Sequence, residues 1–245
     1  MTENKQQMSK ILGELKTGCC ACALKAEFET EGASFEEALL LKELALENGL
    51  EFVLKIGGCE AVRDLRDARA LGADIIVAPM IESAYAVKKF DSAIKRIYPI
   101  AQTPRRFINI ETLSGFESFD KILLLSQTFD GVVFGRTDMS CSCGVEVNSE
   151  QMFEYAQILA QKTCFNNLEF VIGGGVDCAS LDFFGKFKID RPLKTETRKV
   201  VFADAKRLSP QGITKALEFE LLWLESRKER DVQRIDVLKH RLLNY

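Results

Sequence analysis

The chain alternates short apolar runs with amphipathic helical stretches, and this rhythm restricts the fold more than any single motif. Strand-like runs occupy residues 22–28, 52–56, 74–79, 107–111, 131–135, 168–173 and 199–203. Helical patterns fill 35–48, 59–71, 81–98, 115–128, 150–164 and 178–185. Strands separated by helices pair in parallel, because each crossover returns the chain to the same end of the sheet. Polarity within the strands then separates a closed barrel from an open sheet. Leu24, Ala26 and Phe28 share one face of the first run, whereas Lys25, Glu27 and Glu29 share the other; Ile108 and Ile110 likewise oppose Asn109 and Glu111. An open sheet covered on both faces favours apolar residues in both sets. A TIM (β/α)8-type barrel instead puts the apolar set under its helices and gathers polar inward residues at its C-terminal mouth. An eighth strand is expected at 186–189 or in the N-terminal segment.

With 245 residues, 47% of them hydrophobic, the chain has the mass of one barrel domain, with a core at about 22–203. Met8, Ile11, Leu12 and Leu15 predict an N-terminal helix packed across the barrel bottom or on a neighbour. Residues 204–245 predict a C-terminal helical arm, with Pro210 in a first turn, packed either on its own barrel or on a second subunit. A homo-oligomer is expected. The net charge of −3, the lack of a basic tract and the lack of a membrane-length apolar run argue against nucleic-acid and membrane partners. The polar start MTENKQQ lacks a leader's apolar stretch, so a cytoplasmic location with reduced thiols is expected. The eight cysteines are expected to be mostly structural, and Cys141 and Cys143 are expected beside the site without reacting.

Two strand-like runs end on carboxylates with one helix between them, Glu111 after 107–110 and Asp138 after 131–135. Both meet at the same end of a parallel barrel. Their hard oxygens suit Mg2+ or Mn2+, with positions left for water and a 2-oxo acid; the alternative is a pair of helix-capping or ion-paired carboxylates. After Gly135, the backbone amides of Thr137 and Asp138 can hold a substrate carboxylate. Arg136 shares parity with Asp138 and is expected either to meet a distal anionic group or to form a salt bridge at the rim. Lys55 ends its strand pointing into the mouth, where it can stabilise an enolate, bind a carbonyl oxygen, form a Schiff base or sit in an internal ion pair. Lys25, flanked by Glu27, competes for these roles. The sole histidine, His240, lies in the terminal helix, so general-base chemistry falls to Glu, Lys, Tyr, Cys or bound water.

The segments LKIGGCEAVRD, IIVAPMIES, FINIET and DGVVFGRTDMS occur in that order, and ETRKVVF follows them. Together they resemble the HpcH/HpaI aldolase and citrate lyase beta-subunit family over about residues 22–203. The resemblance implies a phosphoenolpyruvate/pyruvate-type barrel, commonly with a C-terminal helix exchanged between subunits. It also implies C–C bond cleavage or formation through a pyruvate-like enolate on Mg2+ or Mn2+. Glu111 and Asp138 fall on that family's metal ligands, and Thr137 and Asp138 on its carboxylate-binding amides. Lys55 stands where many members have arginine, and Asn109 where some have glutamine.

Two departures are informative. KAEFETEG replaces an acid–histidine pair used for proton transfer, leaving Glu27, Glu29 or Glu31 for that task. Lysine at 55 gives up bidentate carboxylate recognition. The expected activity is that of a C–C lyase or aldolase on a small anionic 2-oxo-acid or acyl substrate. In it Lys55, Asn109, Gly135, Arg136, Thr137 and Asp138 contact substrate, and Glu29 or a bound water moves the proton. The alternatives are a barrel that binds a small anionic metabolite without turnover and a metal-free Schiff-base aldolase using Lys55.

Overall fold

A computed structural model describes residues 3–227 and 231–243. The chain opens with α1 (Glu3–Cys19) and β1 (Ala21–Glu27), followed by α2 (Phe35–Glu47), β2 (Glu51–Lys55), α3 (Val62–Leu71), β3 (Ile75–Ala78) and α4 (Ala84–Ile97). Next come β4 (Arg105–Ile110), α5 (Leu113–Glu117), α6 (Phe119–Leu123), β5 (Gly131–Gly135), α7 (Arg136–Cys143), α8 (Glu150–Phe165) and β6 (Glu169–Gly173). The last part holds α9 (Ser180–Gly185), β7 (Lys194–Glu196), β8 (Val200–Phe202), α10 (Pro210–Ser226) and α11 (Val232–Leu243). The eight strands close into a barrel in chain order.

Local chemistry starts the helices where the strands end. Ser34 and Glu37 form a reciprocal capping box at α2, while Ser83, Ser149 and Ser209 cap α4, α8 and α10 through their hydroxyls. The single helix expected over 115–128 is broken into α5 and α6 at Ser118, whose ψ of −3° interrupts the turn. No described helix is long and apolar enough to cross a membrane.

The closure departs from an all-parallel barrel. β1 to β7 pair in parallel, but β8 runs antiparallel to both β7 and β1. The cause is the connection from Glu196 to Val200, too short for a crossover helix; Thr197 seals it by donating its N–H to the Val200 carbonyl at 3.0 Å. The eighth strand is therefore Lys194–Glu196, neither at 186–189 nor in the N-terminal segment, which is α1.

α1 buries Met8, Leu12 and Leu15 against α10 and β1, and its Lys16 ammonium donates to the Asn48 and Gly49 carbonyls after α2. The C-terminal arm folds back on the same chain: α10 packs on α1, and α11 packs on α10 through Ile235 and Leu238.

The interior has two layers. The lower is an apolar plug of Ala23, Val53, Ile75, Val77, Phe107, Val133, Val171 and Val201. The Phe107 ring occupies the space where a side chain at position 131 would stand, so large and small residues interlock across β4 and β5. The upper layer is ionic. Lys25 Nζ pairs with Glu196 across the barrel from β1 to β7 and lies 3.1 Å from Glu27 on its own strand; all three residues are at most 7% exposed. Burial alone disfavours the Glu27 carboxylate, but Lys25 and Lys55, with Arg198 and Lys199 beyond them, bring its pKa down to about 2.

Two predictions follow from this layering. Phe107→Ala leaves a cavity in the plug and costs about 3–5 kcal/mol in urea unfolding. Glu27 ionises more readily in the folded chain than when unfolded, so its stabilisation is present above pH ~4.5 and fades as the pH falls towards 2. Glu27→Gln is expected to lower stability at pH 7 by on the order of 3 kcal/mol and to flatten the acid limb of the stability curve. An acid limb unchanged from the natural protein sinks that assignment.

Candidate active site

Above the ionic layer the barrel opens into a cavity of about 600 Å³. Its floor is set by register: Glu27 is level with Lys55 across β1 and β2, and Asn109 is level with Val133 across β4 and β5. Two residues past Asn109 on the same parity, Glu111 leaves the end of β4 and turns inward, 2% exposed.

Glu111 is the best-held carboxylate of the floor. Its Oε1 accepts the Met80 N–H at 3.0 Å, and its Oε2 accepts the Asn109 amide N–H with Lys55 Nζ 3.4 Å away. Met80 presents that N–H from a left-handed backbone, φ 50°. Lys55 stands closer to Glu29, 2.7 Å from its Oε2, and thus bridges the two acids. Burial raises the Glu111 pKa to about 7; Lys55 and the Met80 amide act against this, while Asp138 and Glu29 reinforce it. Burial acts to lower the Lys55 pKa, but Glu111, Glu29 and Glu27 reverse it, so the ammonium is held protonated. Lys25 is raised in the same way by Glu196 and Glu27. Neither lysine has the lowered pKa that imine formation needs.

The opposite wall comes from β5 and α7. Gly135 ends the strand directly against Glu111: a Cβ there would stand 2.8 Å from the Glu111 Oε2, so only glycine leaves the carboxylate room. Gly135 also caps α7 without offering a side chain, and Thr137 and Asp138 follow in the first turn, both exposed to the cavity. That turn carries the amide donors a helix leaves unsatisfied. Gly174, φ 81°, crosses it so closely that a Cβ would come within 2.5 Å of the Thr137 nitrogen.

The site residues expected from sequence thus separate into two groups. Lys55, Glu29, Asn109 and Glu111 meet in one hydrogen-bonded and ion-paired group. Gly135, Thr137 and Asp138 line the same cavity. Arg136 does neither. It is 0% exposed, donates to the Gly173 carbonyl, Asn148 and Ser180, and packs on the Phe183 and Phe184 rings with its guanidinium carbon 4.9 and 5.4 Å from their centroids. It is buried outside the cavity lining and has no ion pair among the described residues, so in place of a rim salt bridge or an open position for a distal anion it ties the start of α7 to the loop after β6. Burial lowers its pKa to about 10, partly offset by Asp177, so it remains cationic. Cys141 and Cys143 also lie outside the cavity lining, and the Cys143 thiol donates to the Met139 carbonyl.

Sequence reasoning missed the Met80 amide, Glu196 as the partner of Lys25, and Arg198, Arg227, Arg234 and Arg241 in the outer cavity wall. A left-handed methionine carries no sequence signature, and the arginines belong to a turn and two distant helices.

The donors present fit a hard divalent cation. Asn109 Oδ1 is buried without a hydrogen-bond partner, and the Glu111 carboxylate, its pKa raised by burial, would gain from added positive charge. Among the described residues no three His, Cys, Asp or Glu side chains gather as a metal-binding group. A cation held by Glu111 and Asp138 would need water and substrate to complete its shell.

Comparison with known proteins agrees with this architecture. The family model described as HpcH/HpaI aldolase/citrate lyase matches residues 39–162, half of the chain. The HpcH/HpaI aldolase of Desulfitobacterium hafniense DCB-2 is similar in structure, with TM-score 0.59 and 16% identity over 74% of this chain and 78% of that one. A HpcH/HpaI aldolase/citrate lyase family protein of Burkholderia cenocepacia J2315 gives 0.59 and 15%, over 78% and 83%. The citrate synthase SbnG gives 0.54 and 14%, over 68% and 82%. At such identities the likeness concerns the fold. No curated protein matches the chain in sequence. Fold and family model together establish that the chain belongs to the HpcH/HpaI aldolase/citrate lyase family.

Proposed function

We propose that this chain is a C–C lyase or aldolase that acts on a 2-oxo-acid or acyl substrate through a pyruvate-like enolate. The observation that carries this reading is the meeting of Glu111, Asn109 and Lys55 at the floor of a cavity that Thr137 and Asp138 also line, with Glu29 ion-paired to Lys55. Glu111 and Asp138 are the residues to hold Mg2+ or Mn2+. When bound, the cation supplies Lewis-acid stabilisation of the enolate charge.

The chain's own groups do the rest. The α7 amides at Thr137 and Asp138 orient the substrate carboxylate. Lys55, a protonated donor between two acids, faces the oxygen on which negative charge develops, and its ammonium stabilises the enolate over the neutral ketone. Glu29 takes or returns the proton. It is a carboxylate 2.7 Å from Lys55 Nζ, with 24% of its side chain exposed, in the segment where the family resemblance implies an acid–histidine pair. The apolar plug below keeps water from entering beneath the reacting carbon.

A second reading, binding of a small anionic metabolite without turnover, draws on the Glu29–Lys55 ion pair, which holds the proposed base against a cation. The enzyme reading and this one differ in proton exchange. With Mn2+ present, the protein is expected to exchange the methyl protons of pyruvate with deuterium oxide. Glu111→Gln is expected to lose more than about 100-fold of that rate, beyond the usual effect of an outer-shell partner. No exchange with any divalent metal favours the binder. Glu29→Gln is expected to lower the exchange rate by about 10²-fold or more while substrate still binds; an unchanged rate removes Glu29 from proton transfer. Borohydride treatment with pyruvate is expected to leave Lys55 and Lys25 unmodified, and a trapped adduct on either would establish the Schiff-base route instead.

A further inference from the structure

The cavity extends well beyond the groups that a pyruvate-like head engages. At about 600 Å³ it lies in the range of pockets that hold far larger ligands. Its outer wall is made by the C-terminal arm, through Leu217 and Leu224 of α10 and Leu238 of α11, and by the turn between β7 and β8.

Four arginines line this outer part, and their partners divide them. The Arg227 guanidinium is gripped on two sides by Glu37, with Nε–Oε1 2.6 Å and Nη2–Oε2 3.1 Å. Arg234 is bound to the buried Glu220, with Nε 3.1 Å from its Oε1. The other two are differently placed. Arg198, two residues beyond Glu196, has one ion-pair contact among the described residues, Glu31 Oε1 at 3.8 Å, and Glu31 is already paired with the buried Lys199; 34% of the Arg198 side chain is exposed. Arg241 donates one bond, 3.0 Å to the Val176 carbonyl after β6, and has no ion pair among the described residues. Asp231, the remaining carboxylate here, accepts the Arg234 backbone N–H at the start of α11. A guanidinium carries five N–H donors in a planar fork suited to carboxylate or phosphate. Arg198 and Arg241 thus bring two largely unspent forks to one cavity whose nearby acids are engaged elsewhere.

Resting on the reading that the inner floor holds a 2-oxo-acid or acyl head, we propose that Arg198 and Arg241 form a distal-anion subsite, so that the natural substrate carries a second carboxylate or a phosphoryl group remote from the reacting carbon. This assigns far-end specificity to the β7–β8 turn and the C-terminal arm, since Arg136 is buried away from the cavity.

The test compares, by titration calorimetry with Mn2+, 2-oxovalerate, 2-oxoadipate and 2-oxo-5-phosphonopentanoate, which share the head and differ in the far end. The expected result is at least about tenfold tighter binding of one or both far-end anions than of 2-oxovalerate. A larger gain for the phosphonate points to a phosphoryl substrate, and a larger gain for 2-oxoadipate to a dicarboxylate. In Arg198→Gln/Arg241→Gln the ratio is expected to fall toward one, and in Arg198→Lys/Arg241→Lys to be intermediate, since charge persists without the fork. Thermal unfolding of each variant verifies that the arm remains docked. Equal affinities in the natural protein overturn the distal subsite and leave the inner reading standing. A far-end preference that survives the double Gln variant also overturns it. Binding of the far-end anions without any of 2-oxovalerate, lost in the double variant, keeps the subsite and sinks the inner reading. No binding of any of the three sinks both.

Discussion

The structure depends on how a barrel interior accommodates buried lysines. Lys25 and Lys55 project from adjacent strands into a space closed below by aliphatic and aromatic side chains. An ammonium there is costly unless carboxylates surround it, and removing one partner of such a pair costs far more than forming the pair gains. Glu27 and Glu196 hold Lys25; Glu29 and Glu111 hold Lys55. The Lys25 group also bridges β1 and β7 beside the antiparallel β8, where the parallel ladder is interrupted. Closure of the barrel and charge of the site are therefore one arrangement. Changing the inner triad perturbs Lys55 through Glu27, which feels both lysines.

The same charge balance gives the floor its chemistry. Lys25 is fully matched, so it serves as fixed structure. Lys55 is shared between a half-buried acid at the mouth and a fully buried acid on the wall, and Glu111 remains under-neutralised, with its pKa at about 7. A carboxylate in that condition gains from any cation brought near it, whether a metal or the lysine moving closer. An anionic substrate head placed among Lys55 and the α7 amides would supply the opposite charge that Lys55 now takes from Glu29. On the proposed reading this would release Glu29 from its ion pair, so its paired state is compatible with the proton-transfer role proposed for it.

Much of this was legible in the chain because strand geometry has a period of two. The alternation of Leu24 and Ala26 with Lys25 and Glu27 correctly divides outer core from interior, and the positions of Lys55, Asn109 and Glu111 follow from the same rule. The rule fails where the strand stops. Parity with Asp138 puts Arg136 at the mouth, yet the strand ends at Gly135 and a helix begins at Arg136, so successive residues turn by about 100° rather than alternating. β7 escaped notice because its three residues, Lys-Thr-Glu, carry no apolar pattern; their places are set by pairing with Val171, Ile172 and β8. The β8 reversal was equally hidden, since it depends on the length of a turn whose flanking strand was unseen.

The outer wall was least legible, for a reason that bears on how the fold diversifies. Groups on the barrel floor are fixed by strand register, and register is a local property that sequence reveals. Arg241 reaches the carbonyl of Val176 from a helix that begins more than fifty residues later, so only packing of α11 on α10, and of α10 on α1, brings it to the mouth. Those contacts combine apolar stripes with the Lys215–Glu14 and Arg234–Glu220 ion pairs, and together they specify where the arm lies. A floor fixed by register and a wall fixed by docking of the arm can change independently, so one set of strand ends can serve many far-end groups. In this chain the docked arm places guanidinium groups over an acidic floor, and the opposed charges within one cavity favour a ligand that presents one anion inward beside Lys55 and another outward.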